Sequence, residues 1–120
     1  PGPNRTVQNE TRPSFPSRFA VDLKNSTTGN IALHINPRLK ERAVVRNTRI
    51  SSSWGPEERH ISSLPFSPGQ PFHMEITNLK NRYQVAVNGL VAFEYTHRIP
   101  PGQVDQLEIT GDVTLLNVQY

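Results

Sequence analysis

The chain contains no cysteine, so its fold rests on neither disulfides nor a thiolate-bound metal, and thiol redox chemistry is excluded. It has no run of about 18 apolar residues, so the sequence offers no membrane-spanning helix and membrane insertion is not expected. The first residues, PGPNRTVQNETRPSFPSR, lack the apolar core of a signal peptide and do not open on Met; the chain reads as processed or excised from a longer one. No segment repeats apolar residues at a helical period. Dense basic stripes are missing too. The formal net charge is +3 and the pI about 9.7, yet Arg12, Arg18, Lys24, Arg42, Arg49, Lys80, Arg82 and Arg98 are scattered and not interleaved with aromatics, which argues against a nucleic-acid partner.

What the chain does have is alternation. Its 120 residues suit one domain, and 11 prolines with 7 glycines favour short strands joined by turns. Residues 1–17, rich in Pro, Asn, Thr and Arg, read as a linker-like or weakly ordered segment, and residues 18–120 as the domain proper. Phe19, Val21 and Leu23 alternate with other positions. Ile31, Leu33 and Ile35 then face one way while His34, Asn36 and Arg38 face the other. Ala43–Ile50 is another β-prone run, and extended structure is expected to resume over 57–61. Three further inward sets follow: Phe72, Met74 and Ile76; Tyr83, Val85 and Val87; Val91, Phe93 and Tyr95. Asn88-Gly89 between the last two predicts a type I′ hairpin turn. Leu107, Ile109, Val113 and Leu115 supply the final strands. The expected fold is all-β, two antiparallel sheets packed as a β-sandwich of jelly-roll type.

Three short pieces carry the chemistry: HINPR at 34–38, VRN at 45–47 and WGPEER at 54–59. On extended backbone His34, Asn36 and Arg38 share a face, as do Glu57 and Arg59, with Trp54 just ahead of them. Amide, imidazole, guanidinium and carboxylate groups beside one flat indole make a poor core and suit a hydroxyl-rich ligand. A sugar presents hydroxyls that need directional hydrogen bonds and C–H patches that favour an aromatic face. Trp54 is the only tryptophan and stands in a polar stretch, so it reads as a platform rather than a core plug. Asn36 and Asn47 can both donate and accept. Arg38 and Arg59 bring planar forks, with Glu57 as the expected carboxylate between them. Val45 reads as support beneath the polar groups. Pro37 cannot donate to a ladder and is expected at a strand end or edge.

This pattern resembles the galectin carbohydrate-recognition domain. The family motif H-x-N-P-R, V-x-N and W-G-x-E-x-R is met by His34, Asn36, Pro37 and Arg38, by Val45 and Asn47, and by Trp54, Gly55, Glu57 and Arg59. PFSPGQPF, VAVNG, FEYTHR and LEITGDVTL are similar to later strands of the family, so the resemblance covers about Phe19 to Tyr120. It implies a β-sandwich of five- and six-stranded sheets, no metal or other cofactor, and no catalysis. It also implies binding of β-galactosides such as lactose and N-acetyllactosamine, carried by glycoproteins and glycolipids. In that scheme His34, Asn36 and Arg38 take the axial 4-hydroxyl of galactose, Asn47 and Glu57 the 6-hydroxyl, and Trp54 stacks on the ring. Glu57 and Arg59 reach the second sugar. A cytoplasmic and extracellular location by unconventional secretion follows from the same resemblance, as does assembly either as a homodimer or with a linked second domain. The polar segment VQNETRPSFPSR departs from the apolar first strands usual in the family.

Two rival readings come from other classes. A glycoside hydrolase needs two carboxylates roughly 5 to 10 Å apart across one bond; Glu57 and Glu58 are neighbours on extended backbone and point apart. A galectin-like interaction domain, in which protein partners matter more than sugar, differs in being indifferent to lactose competition. Asn4, Asn9 and Asn25 begin N-x-S/T sequons that matter only in a chain entering the secretory pathway.

Overall fold

The computed structural model describes residues 5–11, 19–67, 70–111 and 113–119. Ten strands run through them in chain order: β1 (Arg5–Thr11), β2 (Phe19–Lys24), β3 (Ile31–Arg38), β4 (Ala43–Ile50), β5 (Ser53–Trp54), β6 (Phe72–Asn78), β7 (Arg82–Val87), β8 (Leu90–Thr96), β9 (Gln106–Gly111) and β10 (Val113–Gln119). The only helical pieces among these residues are single 3-10 turns at Leu39–Glu41 and Pro101–Gln103. One sheet has the order β10-β1-β6-β7-β8 and the other β5-β4-β3-β2-β9. All pairings are antiparallel. The described residues thus give five strands to each sheet, where the resemblance implied five and six.

The period-two alternation produces the sandwich. Val21, Leu23, Leu33, Ile35 and Val44 leave the second sheet on one side, and Met74, Ile76, Val85 and Tyr95 leave the first to meet them. Leu33, Ile35 and Met74 retain no measurable exposure. Each such aliphatic side chain contributes about 1.5 to 3 kcal/mol when taken fully out of water. Phe66, from the long connection between β5 and β6, plugs one end. Its ring meets Phe19 and Phe72 edge-on, with centroids 5.6 and 4.9 Å away.

Asn88 and Gly89 turn the β7–β8 hairpin with φ of 53° and 84°, the two positive values that a type I′ turn requires. Three expectations are corrected. Arg5–Thr11, inside the segment read as linker-like, is a strand paired on both sides, to β6 and β10. Backbone ladders satisfy a strand from its neighbours and do not need the apolar alternation that the segment lacks. Residues 57–61 form no strand; only Glu58 bridges to Arg46. Val91 faces outward, 57% exposed, because the β7–β8 register shifts between Val85 and Ala86, and only Phe93 and Tyr95 of the expected set remain inside. The expected Val113 and Leu115 fall in β10.

Candidate functional site

The face of the β5-β4-β3-β2-β9 sheet that points away from the core carries the polar pieces. Because Leu33 and Ile35 are buried inside, His34, Asn36 and Arg38 are turned to the opposite face. Register then sets their neighbours: His34 lies opposite Asn47 and Asn36 opposite Val45. The β4–β5 hairpin turns through Ser51 and Ser52, both at positive φ (51° and 67°), and brings Trp54 opposite Arg49. Pro37 is the penultimate residue of β3, beyond the last pairing with β2 at Val21 and Ile35, so its missing N–H costs no bond there. At that point Asn36 Nδ2 donates to the Phe19 carbonyl instead (2.7 Å).

The result is a shallow groove of about 300 Å³ lined by His34, Arg38, Val45, Asn47, Trp54, Gly55 and Glu57. Trp54 is 47% exposed, so the indole is no part of the core. Its ring centroid is 4.8 Å from that of His34, at an interplanar angle of 55°. Asn36 is buried just beneath the rim and Arg59 stands beyond Glu57. Val45 is buried and forms part of the groove floor.

Hydrogen bonds within the protein fix what each group can offer a ligand. His34 Nδ1 is 2.5 Å from Asp22 Oδ1, which leaves Nε2 as an acceptor in the neutral ring. Arg38 Nε donates to Asn36 Oδ1 (2.8 Å), and Arg38 Nη1 is 3.6 Å from Glu41. The second terminal nitrogen of Arg38 is uncommitted among the described residues. Asn47 Oδ1 already accepts from the Thr48 N–H (2.7 Å) and from Arg98 Nη1 (3.1 Å), while its Nδ2 donates to the Gly55 carbonyl (2.8 Å). Asn47 therefore has one N–H left, a donor only, where sequence reasoning allowed it both roles.

The carboxylate between the two arginines is Glu41, not Glu57. Arg59 Nη1 donates to Glu41 (3.1 Å) and Arg59 Nε to Glu57 (2.9 Å), so the charges run Arg38, Glu41, Arg59, Glu57. The turn Leu39–Glu41 closes on Arg42 in the left-handed region, and that sharp return places Glu41 between the forks. Hydrogen bonds to Glu57, then to Glu41, raise the Arg59 guanidinium above its usual value.

Sequence reasoning missed Asp22, Glu41 and Arg98. Asp22 had a signal: it breaks the apolar run of β2 at an outward position and registers with His34. Arg98 had none, since it lies about forty residues beyond the motif. Its guanidinium rests 4.9 Å over the Tyr95 ring and donates to Asn47, to the Pro56 carbonyl (2.9 Å) and to Glu58 (2.7 Å). It thereby adds to the backbone bonds between Gly55 and Thr48 and between Glu58 and Arg46 in holding the 55–59 segment. Below the site, Arg46 is buried, donates to the Val44 and His60 carbonyls (both 2.8 Å), and lies 4.6 Å over Phe93; burial lowers its pKa. Glu57 and Glu58 are engaged by different arginines, Arg59 and Arg98, and do not converge on one bond.

The profile of the galactoside-binding lectin family matches residues 3–120. The chain is 45% identical to galectin-4 of Bos taurus over 108 residues, 89% of this chain and 32% of that protein. It is 43% identical to galectin-8 of Rattus norvegicus over 121 residues, 98% of this chain and 38% of that one. It thus spans about a third of the length of these relatives. Among solved structures, sheep galectin-11 in complex with glycerol superposes with a TM-score of 0.87 at 30% identity, covering 97% of this chain and 86% of that one. A human galectin-16 variant gives 0.87 at 32% identity, covering 97% and 84%.

Proposed function

The chain belongs to the galectins, the galactoside-binding lectin family, a family of carbohydrate-binding proteins rather than enzymes, and from that premise we propose that it binds β-galactosides of the lactose and N-acetyllactosamine type without a metal ion. The observation that carries this reading is the division of donors and acceptors in the groove. A hydroxyl is served best by one acceptor and one donor. The axial 4-hydroxyl of galactose donates to His34 Nε2 and accepts from the free arm of Arg38, with Asn36 beside them. The 6-hydroxyl accepts from the remaining N–H of Asn47 and donates to Glu57. The apolar face of the ring stacks on Trp54, and the second sugar lies toward Glu57 and Arg59. An equatorial 4-hydroxyl, as in glucose, leaves the first pair unserved, which makes the preference for galactose a matter of unmet hydrogen bonds.

Metal independence has support in the donor set. Among the described residues no three His, Cys, Asp or Glu side chains come together as ligands, and the carboxylates at the site are held by arginines or by His34. Partners in this reading are β-galactoside-bearing glycoproteins and glycolipids. The chain's share of its relatives' length supports a linked second carbohydrate-recognition domain. A cysteine-free domain works equally in reducing cytoplasm and oxidising exterior, which supports both locations, reached by unconventional secretion.

Retention on immobilised lactose in excess chelator, with elution by free lactose, is the test. Folded protein that leaves the column in the void ends this reading.

A further inference from the structure

Arg98 follows β8, a strand of the sheet that does not carry the groove, and it is not among the groove's lining residues. Its bonds nevertheless converge on one pair of groups there. Nη1 donates to Asn47 Oδ1 (3.1 Å). Nη2 donates to the Pro56 carbonyl (2.9 Å) and to Glu58 Oε2 (2.7 Å). Pro56 and Glu58 are the residues on either side of Glu57. Two terminal nitrogens thus act on both side chains that the binding mode above assigns to the 6-hydroxyl: on Asn47 directly, and on Glu57 through its neighbours.

The effect on Asn47 is to fix which end of the amide is offered. Oδ1 accepts from the Thr48 N–H and from Arg98, so half a turn of the amide would set Nδ2 against two donors. Nδ2 is thereby kept as the donor. Space is arranged for this contact: a Cβ at Gly55 would lie 2.9 Å from Arg98 Nη1 and 3.4 Å from Asn47 Oδ1, so the missing side chain lets the guanidinium in. The groups assigned to the 4-hydroxyl have separate supports. His34 is held by Asp22, and Arg38 by Asn36 and Glu41.

We propose that Arg98 is a positioning residue for the 6-hydroxyl of galactose: without touching sugar, it holds Asn47 as donor and Glu57 as acceptor. The inference rests on the galactoside reading above. A guanidinium suits the task because its planar fork spans three acceptors at fixed directions. Its place over the Tyr95 ring, 4.9 Å away, anchors the fork to the opposite sheet before ligand arrives, which reduces the ordering cost of binding.

Competition against a fluorescent lactoside tests it, with lactose, 6′-deoxylactose and 4′-deoxylactose as competitors, on the parent, Arg98→Lys and Glu58→Ala. The parent should prefer lactose to 6′-deoxylactose by roughly 10-fold or more, the worth of one neutral and one charge-assisted hydrogen bond. Lysine carries its donors on one nitrogen and cannot span Asn47 and the Pro56–Glu58 pair. In Arg98→Lys that preference should shrink to about 3-fold or less, while the preference for lactose over 4′-deoxylactose stays as in the parent. Glu58→Ala removes one of the two bonds flanking Glu57 and should reduce the 6-position preference about 2- to 3-fold. Each comparison is a ratio on one protein, so a general loss of affinity cancels. An Arg98→Lys variant that keeps the parent's 6-position ratio overturns the proposal. Both ratios collapsing together overturns it too, since Arg98 would then support the groove as a whole. A parent that does not distinguish lactose from 6′-deoxylactose has the same consequence. If Arg98→Lys does not fold, Glu58→Ala decides alone, and an unchanged ratio there overturns the proposal. Parent protein that binds no lactose ends the galactoside reading itself.

Discussion

His34 and Asp22 are register partners on adjacent strands, and the imidazole Nδ1 lies 2.5 Å from the carboxylate Oδ1. The carboxylate accepts, so Nδ1 carries the proton, and in the neutral ring Nε2 is left as an acceptor. Asp22 is therefore a positioning residue that never touches sugar in the proposed mode. Asp22→Ala frees the ring to rotate and to exchange tautomers. Lactose affinity should fall about 5- to 10-fold, the loss of about one hydrogen bond's net worth. Nitrogen NMR of the His34 ring in parent and variant checks the cause, since a variant that keeps the Nδ1–H form would disprove the tautomer role.

Trp54 is half exposed and leaves the core untouched, so Trp54→Ala should change folding stability by no more than about 0.5 kcal/mol. Lactose binding should become unmeasurable, because the variant loses the only broad apolar surface in the groove. Denaturant unfolding and calorimetry together decide the matter; a variant that unfolds early places the indole in the core after all. In the parent, lactose should also shift the intrinsic fluorescence, and the chain's single tryptophan makes the change unambiguous.

Ser51 and Ser52 both sit at positive φ, where a side chain is strained, in the turn that delivers Trp54. Ser52→Gly should relieve that strain and stabilise the domain by about 1 kcal/mol. Thermal unfolding reads the gain. An unchanged or lowered melting temperature would show that the turn is held by more than backbone preference.

Asp105 accepts from the Ser26 hydroxyl (2.7 Å) and the Ser26 N–H (2.8 Å), and these bonds hold its carboxyl below the usual value. A carboxyl lowered in the folded state contributes stability that is present above its unfolded value and lost as pH falls through the folded one. Ser26→Ala should raise the Asp105 midpoint in a carbon NMR titration and weaken the domain toward neutral pH, with the difference vanishing in strong acid. A midpoint that does not move would sever the link.

The strands and the site were legible to different degrees for physical reasons. Alternation in Ile31–Arg38 and the Asn88-Gly89 turn are local, and each came through in the structure. The side chains brought to the groove lie on the consecutive strands β3, β4 and β5 or, for Glu57, just past the last of them, so spacing was enough to gather His34, Arg38, Asn47, Trp54 and Glu57. Glu41 and Arg98 were not legible because their roles depend on a tight return after β3 and on a residue about forty positions away. Arg5–Thr11 escaped because its pairing partners, not its own composition, make it a strand. The serine turn escaped because nothing in Ser51-Ser52 advertises positive φ as Asn-Gly does.

Arg38 lines the groove and divides its fork three ways: Nε to Asn36, one terminal nitrogen to Glu41, and the other uncommitted among the described residues. Arg38→Lys keeps the charge but gathers its donors on one nitrogen, so it cannot span Asn36 and Glu41 while also reaching a hydroxyl. Loss of a charge-assisted hydrogen bond costs about 1.5 to 3 kcal/mol, roughly a 10- to 150-fold fall in affinity. A shallow sugar site has little affinity to spare, so lactose binding should drop close to the limit of detection. Glu41→Gln provides the control. It removes the ionic anchor but leaves the fork intact, so its loss should be several-fold smaller. Cellobiose, with its terminal 4-hydroxyl equatorial, should bind the parent poorly for the related reason that His34 Nε2 and the free arm of Arg38 are left unserved. Calorimetry of parent, Arg38→Lys and Glu41→Gln with both disaccharides separates these effects. Equal affinity of the parent for lactose and cellobiose, or an Arg38→Lys variant that binds lactose as the parent does, would mean that His34, Asn36 and Arg38 do not read the 4-position.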